Sequence, residues 1–203
     1  MDKVLSPGDA TIVRQRMNTN RQDMEKTFEQ RLHDDLHRYL LGMKVVDERL
    51  PECPDVEGRW KQLIEAYLPD GIREFAAYPT VSLGWMMFIG MAIAYMWDKD
   101  WMRYNADPQL YELLRDARGY DAMDDHIMED VLRLDENGRR KTQDIVAECA
   151  SRTDNMLRHE HIQPGTKEAF LAYTQCLHQL YLMGMAMQLS AMGYHMTPLN
   201  PAN

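Results

Sequence analysis

The sequence predicts an all-α fold, a bundle of about six to eight helices forming a single domain over residues 1–203, and three observations carry that prediction. Nearly every long segment repeats its apolar residues in steps of three and four, the helical period. No segment sustains the apolar–polar alternation of a strand. The connections between periodic segments are short and hold Pro, Gly, Asn or Asp. Periodic helices joined by short turns bury their stripes against one another as a bundle.

The elements follow in order. Ser6, Pro7 and Asp9 have the cap, first-turn and capping-box chemistry of a short first helix. The stripe Phe28, Leu32, Leu36, Tyr39, Met43, Val46 and Leu50 predicts one long helix over 20–50, ended by Pro51 and Pro54. Trp60, Leu63, Ile64 and Tyr67 mark a helix that stops at Pro69, Asp70 and Gly71. An apolar helix follows through Trp97, then a short one capped by Asp107 and Pro108 and closed by Gly119. An acidic helix over 121–135 is broken by Asn137 and Gly138. Ile145, Cys149, Met156 and Leu157 belong to a helix that stops before Pro164 and Gly165, and the last helix reaches Tyr194 ahead of a frayed tail over 198–203.

Two of these helices are apolar all round. Residues 75–97 and 169–203 contain no Asp, Glu, Lys or Arg, and each stretch is long enough to cross a bilayer. Pro79, Thr80, Ser82, Gly84 and Tyr95 dilute the first; Gln175, His178, Gln179 and Gln188 dilute the second; neither has a basic cluster on one flank. The expectation is two central helices of the bundle and no membrane span. A shift of 94 residues places Gly71, Glu74, Thr80, Leu83, Gly90, Met91 and Ala92 on Gly165, Glu168, Thr174, Leu177, Gly184, Met185 and Ala186. That likeness reads as an internal repeat of a helix pair, 60–97 and 154–191. It places Pro79 opposite Tyr173, as a kink within a helix, and sets Gly90 and Gly184 where two helices approach closely about a pseudo-twofold axis.

Composition narrows the function. The 203 residues carry 32 acids against 23 Lys and Arg, a net charge of −9, which argues against nucleic acid or an anionic membrane as the main partner. Three widely spaced cysteines without a Cys-x-x-Cys pair, and an amino terminus without an apolar signal core, point to the cytoplasm.

Three groups of residues are candidates for chemistry. Glu29, His33 and His37 lie four apart on one helix face, two nitrogens and a carboxylate suited to a divalent transition metal. Against a ligand set, the run lacks the glutamate that follows the first histidine in zincins, which leaves a polar helix shoulder as the bland reading. Residues 107–136 hold ten acids against three arginines, and Asp121, Asp125 and Glu129 repel one another at spacings of four. A helix N-terminus, a divalent cation or a basic partner would offset that repulsion, with His126 as a further nitrogen ligand. An EF-hand is excluded because Arg133 stands at the first loop position. Finally, ten of the 17 methionines lie in or beside the two apolar helices, as core filler or as the adaptable lining of an apolar groove.

Two functions follow. One is a non-catalytic binding protein that uses the acidic helix or the Met-rich groove for a protein partner or a small apolar ligand, without a cofactor and with homo-oligomerisation left open. The other is a metal-dependent helical hydrolase built on Glu29, His33, His37, His126 and Glu129, with metal-activated water and a carboxylate base.

Overall fold

A computed structural model describes residues 26–196, and every regular element in that span is helical. In chain order they are α1 (Phe28–Gly42), α2 (Pro54–Glu57), α3 (Trp60–Phe75), α4 (Pro79–Asn105), α5 (Leu110–Asp116), a 3-10 turn (Tyr120–Ala122), α6 (Met123–His126), a π turn (Ile127–Val131), α7 (Glu136–His159) and α8 (Lys167–Ala191). The expected all-α bundle is what the chain forms. The Ser6–Asp9 helix and the 198–203 tail lie outside the described residues.

Helix α1 is shorter than its apolar stripe. Thr27 starts it with a reciprocal capping box: its hydroxyl accepts from the Gln30 amide at 3.2 Å, and the Gln30 side chain accepts from the Thr27 amide at 3.0 Å. It ends at Gly42 because Lys44 turns left-handed, with φ 57°, and the Val45 amide closes back on the Leu40 carbonyl at 3.2 Å. Val46 still enters the core from the strap that follows. Its place in the stripe reflects burial, not helix.

The two prolines exchange the roles expected of them. Pro69 lies inside α3, which runs on to Phe75, and Pro79 is the first residue of α4 rather than a kink within it. Pro69 removes one backbone bond, but Tyr67 and Gly71 on either side are buried against the core, and that packing carries the helix through. Tyr78, with φ −135° and ψ 73°, is non-helical, as the residue before a proline avoids the α region, and breaks the chain between α3 and α4. Asn137 and Gly138 also lie within a helix, the first turn of α7, where the Asp135 carboxylate caps the Gly138 amide at 2.7 Å. The acidic stretch is not one helix. It splits into the 3-10 turn, α6 and the π turn, whose wider winding bonds the Leu132 amide to the Ile127 carbonyl and buries Ile127 and Met128.

Helices α4 and α8 are the centre of the bundle, and their mutual packing is the most extensive in the protein. Met86, Met87, Met91, Met96, Met183, Met185 and Met187 are core, whereas Met102 is 89 % exposed beyond the break at Asp100. Among the described residues α4 alone is long and apolar enough to cross a membrane, but 72 % of its most apolar stretch is buried by the other helices. The crossing runs through Gly90 and Gly184. A Cβ on Gly90 would stand 3.1 Å from the Met185 nitrogen and closer to the Tyr181 carbonyl oxygen; one on Gly184 would stand 2.9 Å from the Met87 carbonyl carbon and closer to its oxygen. The 94-residue shift exchanges Gly90 with Gly184 and Met87 with Tyr181, so the two close contacts are related as a pseudo-twofold requires. The helix boundaries do not share that relation: the turn at 76–78 falls opposite 170–172, within α8.

A buried polar knot fastens α3, α4 and α8. The Tyr67 hydroxyl donates to the Ser82 carbonyl, Ser82 Oγ donates to the Gly71 carbonyl at 2.8 Å, and the Tyr173 hydroxyl donates to Ser82 Oγ at 2.6 Å.

Candidate functional site

Glu29 and His33 are bonded to α8 and His37 to the strap after α1, and the two histidines border an open cavity of 470 Å³. The Gln179 amide nitrogen donates to Glu29 Oε1 at 2.9 Å, which turns its oxygen toward His33 Nδ1 at 3.0 Å, so that ring nitrogen carries the proton. His37 Nε2 donates to the Asp47 carbonyl at 2.9 Å, and the two rings are 6.1 Å apart. His126 and Glu129 lie elsewhere. His126 Nδ1 is 2.8 Å from Asp130, and Glu129 is clamped between Arg118, at 2.7 Å, and Arg139. Among the described residues no three His, Cys, Asp or Glu side chains form a group able to hold a metal ion.

Part of the acidic segment is paired from within the chain: Arg118 also reaches Asp130 at 2.9 Å, so the two arginines offset the charges of Glu129 and Asp130. Asp121 and Asp125 point to solvent. Asp124 is half-buried, and burial pushes its carboxyl above the usual range. The three cysteines are buried thiols; burial pushes Cys149 up to about 12 and raises Cys53 and Cys176, which removes thiolate chemistry near neutral pH.

A different place stands out once buried polar groups are accounted for. Among the described residues five polar side chains are buried: Ser82, Thr142, Thr153, Gln179 and Gln188. Ser82 and Gln179 are bonded as above, and Thr153 Oγ1 donates to the Cys149 carbonyl at 2.8 Å. Thr142 and Gln188, each 8 % exposed, have no side-chain hydrogen bond, and both line the same cavity of 310 Å³. Ser190, on the same wall, has a buried hydroxyl without a partner. Protein interiors satisfy such groups, because each one left unpaired costs about 1–3 kcal/mol.

The cavity lies where the 44–47 strap, α4, the start of α7 and the end of α8 meet. Its apolar wall is Val46, Met91, Leu134, Ile145 and Met187. Lys44, Lys141, Asp47 and His195 form its charged edge, and the His195 ring is bonded to the Asp47 carboxylate. The sequence points to the methionines of this wall, but not to Thr142, Gln188 or the lysines. Gln188 carries the one available signal, an amide within a charge-free helix, and it reads there as mere dilution of apolar character. Neither protein-family models, curated proteins nor solved structures yield a match to this chain.

Proposed function

We propose that this protein is a non-catalytic binding protein that holds a small amphipathic molecule in the methionine-lined cavity. One observation carries the reading: the buried Ser190 hydroxyl, which has no partner, lies on an apolar-walled cavity that Thr142 and Gln188, neither with a side-chain hydrogen bond, also line. An amide and a hydroxyl without partners supply donors and acceptors for a polar head, while Met91 and Met187 offer flexible thioether surface that adapts to an apolar body. The 310 Å³ volume, open on one side, has room for a small molecule with a short apolar body. The acidic segment does not support the reading, since its Glu129 is already paired with Arg118 and Arg139.

The test is titration of the full chain with octanol and octanoate, followed by calorimetry and thermal melting. Saturable one-to-one binding that raises the melting temperature is expected for at least one of them. Gln188→Leu and Thr142→Val should weaken that binding while leaving the free protein about as stable, because neither side chain has a hydrogen bond to lose. A purely structural role predicts the reverse, loss of stability in both variants. Absence of saturable binding by either amphiphile overturns the proposal.

A further inference from the structure

Building on that binding reading, we infer that the cavity selects an organic monoanion, a carboxylate on a short apolar chain, with its head held by Lys44 and Lys141. Both lysines line the cavity, and among the described residues neither ammonium has an ion pair or a side-chain hydrogen bond. The one acid on the same lining, Asp47, has its carboxylate engaged by His195. Among the described residues the lining therefore sets two ammonium groups against the single carboxylate of Asp47, beside the Gln188 amide and the Thr142 hydroxyl, which can both donate to a carboxylate.

Lys44 adds a second line of argument. It holds a left-handed backbone, φ 57°, at the end of α1, a position where glycine costs nothing and an unbranched charged residue is uncommon. The residue present there borders the cavity.

The same lining discriminates between anions. Among the described residues no arginine borders the cavity, and the Gly138 amide at the start of α7 is occupied by Asp135. The bidentate guanidinium and free helix amides that phosphate sites rely on are missing from it. Two point charges and two neutral donors fit a monoanion.

The experiment compares octanoate, octanol, octylamine and octyl phosphate on the full chain and on Lys44→Gln, Lys141→Gln and the double variant, by calorimetry at low and high salt. Octanoate should bind roughly tenfold tighter than octanol at low salt, with the preference shrinking as salt rises. Octylamine should bind most weakly. The double lysine variant should lose the preference and keep the octanol affinity, which shows in the same experiment that the cavity is intact. Equal binding of octanoate and octanol by the unmodified protein overturns the anion inference and leaves the binding reading standing. Tighter binding of octyl phosphate than of octanoate overturns the choice of carboxylate. Binding of none of the four overturns the binding reading itself.

Discussion

Replacing Gly184 with alanine adds one methyl group at the point where α8 crosses α4, and two opposed effects decide the outcome. Alanine is favoured over glycine in a helix interior by about 1 kcal/mol, so propensity alone predicts stabilisation. The new Cβ, however, would stand 2.9 Å from the Met87 carbonyl carbon and 3.1 Å from its Cα, with the carbonyl oxygen nearer still. A relaxed carbon–oxygen contact needs about 3.3 Å, so the helices must part by roughly 1 Å. A gap of that size forfeits about a quarter to a half of the dispersion energy of each contact it opens. Since α4 and α8 form the most extensive packing in the protein, the overpacking cost falls toward the upper part of about 1–3 kcal/mol, and the net expectation is roughly 1–2 kcal/mol of destabilisation.

Gly90→Ala meets backbone in the same way, with the Met185 nitrogen and the Tyr181 carbonyl carbon each at 3.1 Å, and should behave alike. Because one separation of the helices relieves both clashes, the double variant should cost less than the sum of the singles. Gly84→Ala is the control. Its Cβ meets only the Val146 methyl at 3.2 Å and the Ala150 Cβ at 3.8 Å, side-chain atoms that can yield, so the change should be neutral or mildly stabilising. Urea unfolding followed by circular dichroism gives the midpoint and slope for each variant, and each 1 kcal/mol should move the melting temperature by about 2–4 °C. If Gly184→Ala and Gly90→Ala prove at least as stable as the parent chain, the close-crossing argument is wrong.

Ser82→Ala should cost about 1–3 kcal/mol without loss of helix content, because it leaves the Gly71 carbonyl and the Tyr173 hydroxyl unpaired in the core; an unchanged melting temperature contradicts that. Burial raises the Asp70 carboxyl, but hydrogen bonds from Tyr111 and Arg115 outweigh it and hold the group below its ordinary range. Its contribution is therefore present above the unfolded carboxylate range and lost as pH falls through the folded value; Asp70→Asn should flatten that acid limb of stability against pH. Asp124 has the opposite sign: burial raises its folded value, so stability declines as pH rises through it, and Asp124→Asn should raise the melting temperature at neutral pH but not in acid. Cys53, Cys149 and Cys176 should resist a thiol reagent near neutral pH and all react once the chain is unfolded in urea; rapid labelling of the folded protein would contradict their burial.

Local repetition made the helices legible, because a stripe at steps of three and four is a property of the chain next to itself. It was enough to place α4 and α8 at the centre of an all-α bundle and to mark Gly90 and Gly184 for close approach. Local chemistry was ambiguous wherever one residue serves two geometries. Proline suits the first turn of a helix and can also sit within one, so Pro69 and Pro79 were separable only by the burial of Tyr67 and Gly71 around the first and by the non-helical Tyr78 before the second. Val46 continued the stripe of α1 in phase although the helix had already ended at Gly42, since burial, not winding, makes a position apolar. The counter-ions of Glu129 are Arg118, before it in the chain, and Arg139, on α7, and no spacing rule reaches that far. The cavity depends on distance still more. Lys44, Met91, Thr142 and Gln188 come from four separate segments and carry no shared motif. They meet because the strap lies where the middle of α4, the start of α7 and the end of α8 pack together, and convergence of that kind is a consequence of packing, which periodicity along the chain does not encode.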